Sequence, residues 1–192
     1  MQQEDRTSGR PRDVSADAAL KSAALGLVRA RGYGKVSIAA IVAAAGVARQ
    51  TLYNRWSSKA ELVLDAVFEE VGRYAAAPIG DDGTGAAEQL EAFLIQVFAH
   101  LEEDGETLRA IIAAAQEDAD FQRLFRERFV LPREAMVTDL LRRAQARGEI
   151  GPARDPEMLS AMIHGAFWYR MLNGFALDRG LARAIRDEVF RP

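Results

Sequence analysis

Apolar residues recur along this chain at the 3.6-residue period of an α-helix, and the sustained alternation that a half-buried strand needs is almost absent. That regularity narrows the possible folds more than any other feature. Leu20, Ala23, Ala24, Leu27 and Val28 follow the i, i+3, i+4, i+7, i+8 spacing that lays one apolar stripe along a helix. The expected fold class is all-α. A disordered tail over residues 1–13, containing "TSGRPRD", precedes a small helical unit at 14–60 and a larger helical body at 61–192.

Punctuation residues divide the pattern into elements. Ser15 opens the first helix and Gly32 stops it. Ser37 caps a short second helix whose inner face is Ile38, Ile41, Val42 and Ala45. Gly46 ends it, because glycine takes a positive φ without the steric cost of a Cβ. A third short helix is expected over 49–56. Ser58 and Glu61 form a capping box that starts a fourth, with Val63, Leu64, Val67, Phe68 and Val71 on its buried side. Residues 75–87 read as a linker, with Pro78, Gly80, Gly83 and Gly85; its Asp81 and Asp82 lack the alternating ligand spacing of a calcium loop. Further helices are expected over 88–103, 107–115, 120–147 with a kink at Pro132, 156–175 and 181–190.

Charge is distributed unevenly. The net charge is −3, yet residues 1–59 carry 10 Lys or Arg against 4 Asp or Glu, and all three lysines (Lys21, Lys35, Lys59) lie there. A basic segment on an acidic body points to a polyanionic partner at one end only. No apolar run approaches the roughly 18 residues of a membrane span, and the polar N-terminus does not read as a signal peptide, so a cytoplasmic location is expected. Without Cys there is no disulfide framework and no thiolate nucleophile or metal ligand. The chain has no Gly-rich phosphate loop, no Gly-x-Ser-x-Gly elbow and only two His, so no enzyme, metal or cofactor is expected.

The stretch "GVARQTLYNRW" at 46–56 concentrates polar groups within two helical turns. Helix, glycine-containing turn and short polar-faced helix make the layout of a helix-turn-helix. In that layout Val47 and Leu52 point inward, while Arg49, Gln50, Thr51 and Asn54 point out. These residue types suit the major groove: Arg pairs with guanine, Gln or Asn with adenine, and the Thr methyl meets the thymine methyl. Tyr53, Lys59 and Ser37 suit phosphate oxygens, the last two at helix N-termini. Trp56 reads as core.

Residues 20–64 resemble the DNA-binding domain of TetR-family transcriptional regulators. The resemblance rests on Gly32-Tyr33, Ser37-Ile38, Ile41, Ala45-Gly46-Val47, Thr51-Leu52-Tyr53 and Ser58-Lys59 at the family's spacing. It implies a homodimer that places this unit on double-stranded DNA and binds a small effector in a divergent helical body. Ala48 departs from the Ser that often caps the recognition helix in this family, and Trp56 stands where Phe is common.

Aromatic and methionine residues crowd the body, and such side chains with one or two polar groups form the usual small-molecule site. The candidate pocket residues are Phe93, Phe98, Phe125, Phe129, Met136, His164, Phe167 and Trp168; His100 has no supporting constellation. The last two helices are apolar enough to need cover. The resemblance implies that they form a four-helix bundle across a two-fold axis, with Leu159, Met162, Ile163, Ala166, Arg170, Leu181 and Ile185 near the interface. The expected function is a repressor released from a palindromic operator by its effector, with helix four as the lever. The alternative is a helical small-molecule-binding protein without DNA function.

Overall fold

A computed structural model describes residues 14–75, 79–80 and 83–191. The tail at 1–13, Pro78, Asp81, Asp82 and the side chain of Val71 lie outside the described residues. Those described form nine α-helices: α1 (Val14–Arg31), α2 (Ile38–Ala45), α3 (Arg49–Tyr53), α4 (Lys59–Ala75), α5 (Ala86–Glu117), α6 (Ala119–Phe125), α7 (Leu131–Ala146), α8 (Pro156–Leu172) and α9 (Arg179–Val189). A 3₁₀ turn at Tyr33–Lys35 joins α1 to α2, and a π-helical turn at Arg126–Val130 joins α6 to α7. The all-α expectation holds.

Caps set most of the boundaries. Asp118, Asp155 and Asp178 accept backbone N–H groups at the starts of α6, α8 and α9, the shortest bonds being 2.9, 2.9 and 2.8 Å. At α4 the capping box is half as expected. The Ser58 hydroxyl accepts the Glu61 N–H at 3.1 Å, but the Glu61 carboxylate takes the N–H and O–H of Ser57 instead of the Ser58 N–H. Helix α5 borrows its cap from afar: Glu149, on the loop after α7, accepts the Ala86 N–H at 2.7 Å.

Two helices expected over 88–103 and 107–115 are a single α5. Gly105 and its acidic neighbours signal a break, but glycine in a helix costs only about 1 kcal/mol. Burial on both sides of that point outweighs it, because Phe98, Leu108 and Ile111 are all inside. Pro132 does interrupt the next helix. It has no N–H to give, and its ring would collide with the carbonyl four residues back. The chain widens there into a π turn, with the Leu131 N–H bonded to the Arg126 carbonyl.

Two cores result. The first gathers α1–α4, the C-terminal half of α5, α6 and the π turn around Leu20, Ile41, Leu52, Leu64, Ile111 and Phe121. The second gathers the N-terminal half of α5 with α7, α8 and α9 around Leu90, Leu94, Phe98, Leu140 and Ile163. Leu101, Trp168 and Leu177 pack against both. Helix α5 therefore runs from one core into the other.

The N-terminal unit is joined to the body at the 3₁₀ turn. The Tyr33 ring lies 4.5 Å from the Phe121 ring, tilted by 59°. Arg29 on α1 donates to the Thr107 hydroxyl on α5 at 2.9 Å. Phe121 is fully buried at this junction. Phe121→Ala should therefore lower unfolding free energy by about 3–5 kcal/mol, read by chemical denaturation. A loss under 1 kcal/mol would mean that the junction collapses around the cavity or was never tight.

Candidate functional site

The turn between α2 and α3 is built as the sequence suggests. The Ser37 hydroxyl accepts the Ala40 N–H at 3.2 Å. Gly46 adopts the left-handed conformation, φ 67° and ψ 28°, and its N–H closes the end of α2. Ile41 and Leu52 are fully buried, with Ala45 and Val47 packed against the same core. Trp56 is buried as expected, its indole N–H donating to Asp65 at 2.9 Å. Arg55 ties the end of α3 inward: it donates to the Thr51 carbonyl at 3.0 Å and pairs with Asp17 on α1.

With that support behind it, α3 turns a polar face to solvent. Arg49, Gln50, Tyr53 and Asn54 are exposed, and Thr51 is half-buried. They are ordered in i, i+4 pairs. The Gln50 amide donates to the Asn54 side-chain oxygen at 2.9 Å, and Arg49 donates to the Tyr53 hydroxyl at 3.2 Å with its guanidinium over the ring. Ala48 is the N-cap of α3 and offers no side-chain acceptor, as its identity dictates.

Lys59, expected to contact a phosphate, has most of its donors engaged within the protein. Its ammonium donates to the carbonyls of Tyr33 and Val36, each at 3.0 Å, and lies 3.8 Å from the centre of the Tyr33 ring. Partial burial pulls its pKa below the ordinary lysine value, and the Asp118 charge opposes that shift. Two of three donors thus hold the start of α4 to the 3₁₀ turn, leaving one N–H at most for a phosphate.

A cavity of about 250 Å³ opens where the two cores meet. Of the expected residues, Phe93, Phe129, His164, Phe167 and Trp168 line it. Phe98 and Phe125 do not. Phe98 is buried edge-on to Phe167, and Phe125 is stacked on Phe129 at 5.0 Å, so both are core behind the wall. Met136 is also not in the lining. Val97, His100, Leu101, Leu108, Val130, Arg133, Glu134, Ala161 and Gly165 complete the lining and were not among the expected residues. Phe129 and Arg133, four apart on either side of Pro132, carried a legible signal: spacing that stacks a guanidinium on a ring. The Arg133 guanidinium lies 3.7 Å from the centre of the Phe129 ring and donates to the Phe129 carbonyl at 3.1 Å. Burial pulls its pKa down to about 10. His164 bonds through Nδ1 to the Ser160 carbonyl at 2.8 Å, and burial holds its pKa below the usual histidine range.

Comparison with known proteins decides the family. The profile described as "Tetracyclin repressor-like, C-terminal domain" matches residues 81–189, more than half of the chain, and that of "Bacterial regulatory proteins, tetR family" matches 20–66. The chain belongs to the TetR family of transcriptional regulators. An uncharacterized HTH-type transcriptional regulator of Bacillus subtilis, YdeS, is 29% identical over 85% of this chain and 82% of its own length. The DNA-binding transcriptional repressor TetR of Mycobacteroides abscessus is 25% identical over 93% of each. Among solved structures, the TetR-family regulator SCO0332 superposes with a TM-score of 0.68 at 29% identity, covering 92% of this chain and 97% of that one. This TetR-family protein is accordingly a DNA-binding transcriptional regulator, and α2 and α3 lie within the stretch that matches the family's N-terminal profile.

Helix α8 carries two apolar stripes. Leu159, Ile163, Phe167 and Met171 form the inward one, and Ile163 is only 1% exposed. Ile185 on α9 is likewise buried and Leu181 half-buried. Leu159, Ile163 and Ile185 therefore belong to the protomer's own core, which corrects their placement at a partner interface. Arg170 curls back to donate to the Ala176 carbonyl at 3.0 Å. Met162 and Ala166 lie on the outward stripe with Met158, Tyr169 and Leu172, and Met162 is 56% exposed. No described helix is long and apolar enough to cross a membrane.

Two outcomes follow for this regulator. Ala48 already has the extended backbone of a cap residue, φ −73° and ψ 146°. Ala48→Ser should thus stabilise the protein by about 0.5–2 kcal/mol, seen as a higher Tm. The second concerns pH. Unfolded, His164 takes up a proton near its ordinary value of 6.5; folded, it resists until lower pH. The unfolded state then binds more protons, so His164 makes the fold lose stability as pH falls through 6.5. His164→Gln should flatten the stability curve in that window; an unchanged slope would show that His164 does not control it.

Proposed function

We propose that this regulator is a dimeric repressor whose two α3 helices read a palindromic operator, and that a small molecule in the cavity releases it. The observation that carries the reading is the exposed face of α3, where Arg49, Gln50, Tyr53 and Asn54 are held outward over a buried Leu52. Gln50 and Arg49 supply the bidentate hydrogen bonds that distinguish adenine and guanine in the major groove, and the Thr51 methyl suits thymine. Tyr53, Asn54, Ser37 and the remaining donor of Lys59 contact the backbone phosphates. The repressor named among the relatives supports repression as the sign of regulation.

A dimer is supported by physics as well as kinship. Five residues of α3 reach only a few base pairs, whereas two copies on a two-fold axis read half-sites spaced by helical turns, roughly 34–36 Å or a multiple. The outward stripe of α8 supplies an apolar face for the second copy: Met158, Met162, Tyr169 and Leu172 are all exposed in the protomer. The effector acts by population shift. It favours one spacing of the two reading heads over another and so lowers operator affinity. Its natural path is α4, which begins at Lys59 beside the reading head and whose Phe68 stacks on Phe129 of the cavity wall at 6.0 Å. The absence of any span-length apolar helix among the described residues fits a cytoplasmic protein.

Selection of bound duplexes from a random pool at physiological salt tests this reading, and a palindrome with two matching half-sites is the expected result. Gln50→Ala should relax preference at one position per half-site at a cost of about 1–3 kcal/mol; unaltered preference would remove Gln50 from base readout. Met162→Glu should shift the protein toward monomer in light scattering, since it would bury an unpaired charge in an apolar interface. An intact dimer would move the interface away from α8.

A further inference from the structure

We propose that the cavity takes an apolar molecule bearing one carboxylate, and that Arg133 is the residue that binds the carboxylate. The inference rests on the reading of this cavity as the effector site and adds the chemical class of the effector. Most of the wall is hydrocarbon or aromatic: Phe93, Val97, Leu101, Leu108, Phe167 and Trp168. Such a surface holds an acyl chain or a ring system and excludes water.

Into that wall the first turn of α7, just after the π turn, inserts a guanidinium. Arg133 has five N–H donors in a planar fork. One donates to the Phe129 carbonyl, and the face of the group is covered by the Phe129 ring. Among the described residues no carboxylate lies within ion-pair distance of it, although Glu134 is the next residue and lines the same cavity. A cation taken out of water without an anion is costly to keep, and the cost shows in its lowered pKa. A ligand carboxylate, accepting two parallel N–H bonds, would remove that cost. A cationic ligand would instead set a second positive charge beside the first.

The other polar groups at the cavity fit an anchor at Arg133. His164 bonds to the Ser160 carbonyl through Nδ1, so that nitrogen carries the hydrogen and Nε2 is an acceptor while the ring is neutral. It therefore does not compete as the anion's donor at pH 7, where burial keeps it uncharged. His100 and Glu134 complete the titratable groups of the lining.

The test is titration of the full-length protein with three probes of equal chain length: octanoate, octan-1-ol and octylammonium. Binding is followed by calorimetry and by the fluorescence of Trp168, which lines the cavity. Octanoate should bind at least about tenfold tighter than octan-1-ol, the range of a charge-assisted pair. In Arg133→Gln that preference should vanish while octan-1-ol affinity is retained; Arg133→Lys, which keeps the charge but not the fork, should retain part of it. Equal affinity for octanoate and octan-1-ol, preference for octylammonium, or no binding of any probe would each overturn the proposal. Retained octan-1-ol binding shows that the variant is folded. Octanoate binding that leaves DNA affinity unchanged would overturn the effector reading instead, and leave the assignment of Arg133 standing.

Discussion

Burial along α5 is the constraint on which the rest of the molecule depends. A helix of 32 residues is about 48 Å long and cannot be shielded by one small core. Its two halves are covered by different sets of helices, and those sets become the two cores. Residues 20–66, which match the family's N-terminal profile, are not packed as a separate domain. They share a core with Leu108, Ile111, Phe121 and Phe129 of the body. The Tyr33 ring, 3.8 Å from the Lys59 ammonium and 4.5 Å from the Phe121 ring, is part of that shared packing. A shift of α5 or α6 against it must therefore be felt at the start of α4 and at the entrance to α2.

A cavity at the seam between two cores differs from one inside either. Its walls belong to both: Phe129 packs with the first core, Phe167 with the second, and Trp168 touches each. A molecule in it would touch both cores at once, which is the position the proposed change in spacing of the reading heads requires. The π turn has a part in this. By relieving the clash at Pro132 it offsets α7 from α6, and Phe129 and Arg133 face the seam from that offset. The same turn carries Arg128, whose ion pair with Glu61 at 3.1 Å reaches the first turn of α4.

How far the sequence could be read depended on whether a signal was local. Ser37, Gly46 and Leu52 follow rules that act within one or two helical turns, and all three stand where those rules put them. Gly105 is local too, but its signal is weak, and burial on either side of it carries the helix straight through. Helix α8 shows the other limit. Both of its stripes are apolar, so periodicity marks Leu159, Met162 and Ile163 alike and cannot tell which faces the protomer's own core. The aromatic residues of the body raise the same difficulty: Phe125 and Phe129 lie one turn apart, yet only the second reaches the cavity.

The sequence by itself determined the helical class, the helix-turn-helix over 37–56, the residues on the outward face of α3 and the missing cap at Ala48. Hydrogen bonds and steric limits between near neighbours settle such features before any long-range contact forms. Only the tertiary structure decided that Lys59 turns inward to two carbonyls, that α5 is unbroken, which stripe of α8 is buried, and that Arg133 stands in the cavity. Each of these depends on which distant surface arrives opposite a side chain. A local pattern marks which residues can be buried, but not which distant surface will cover them.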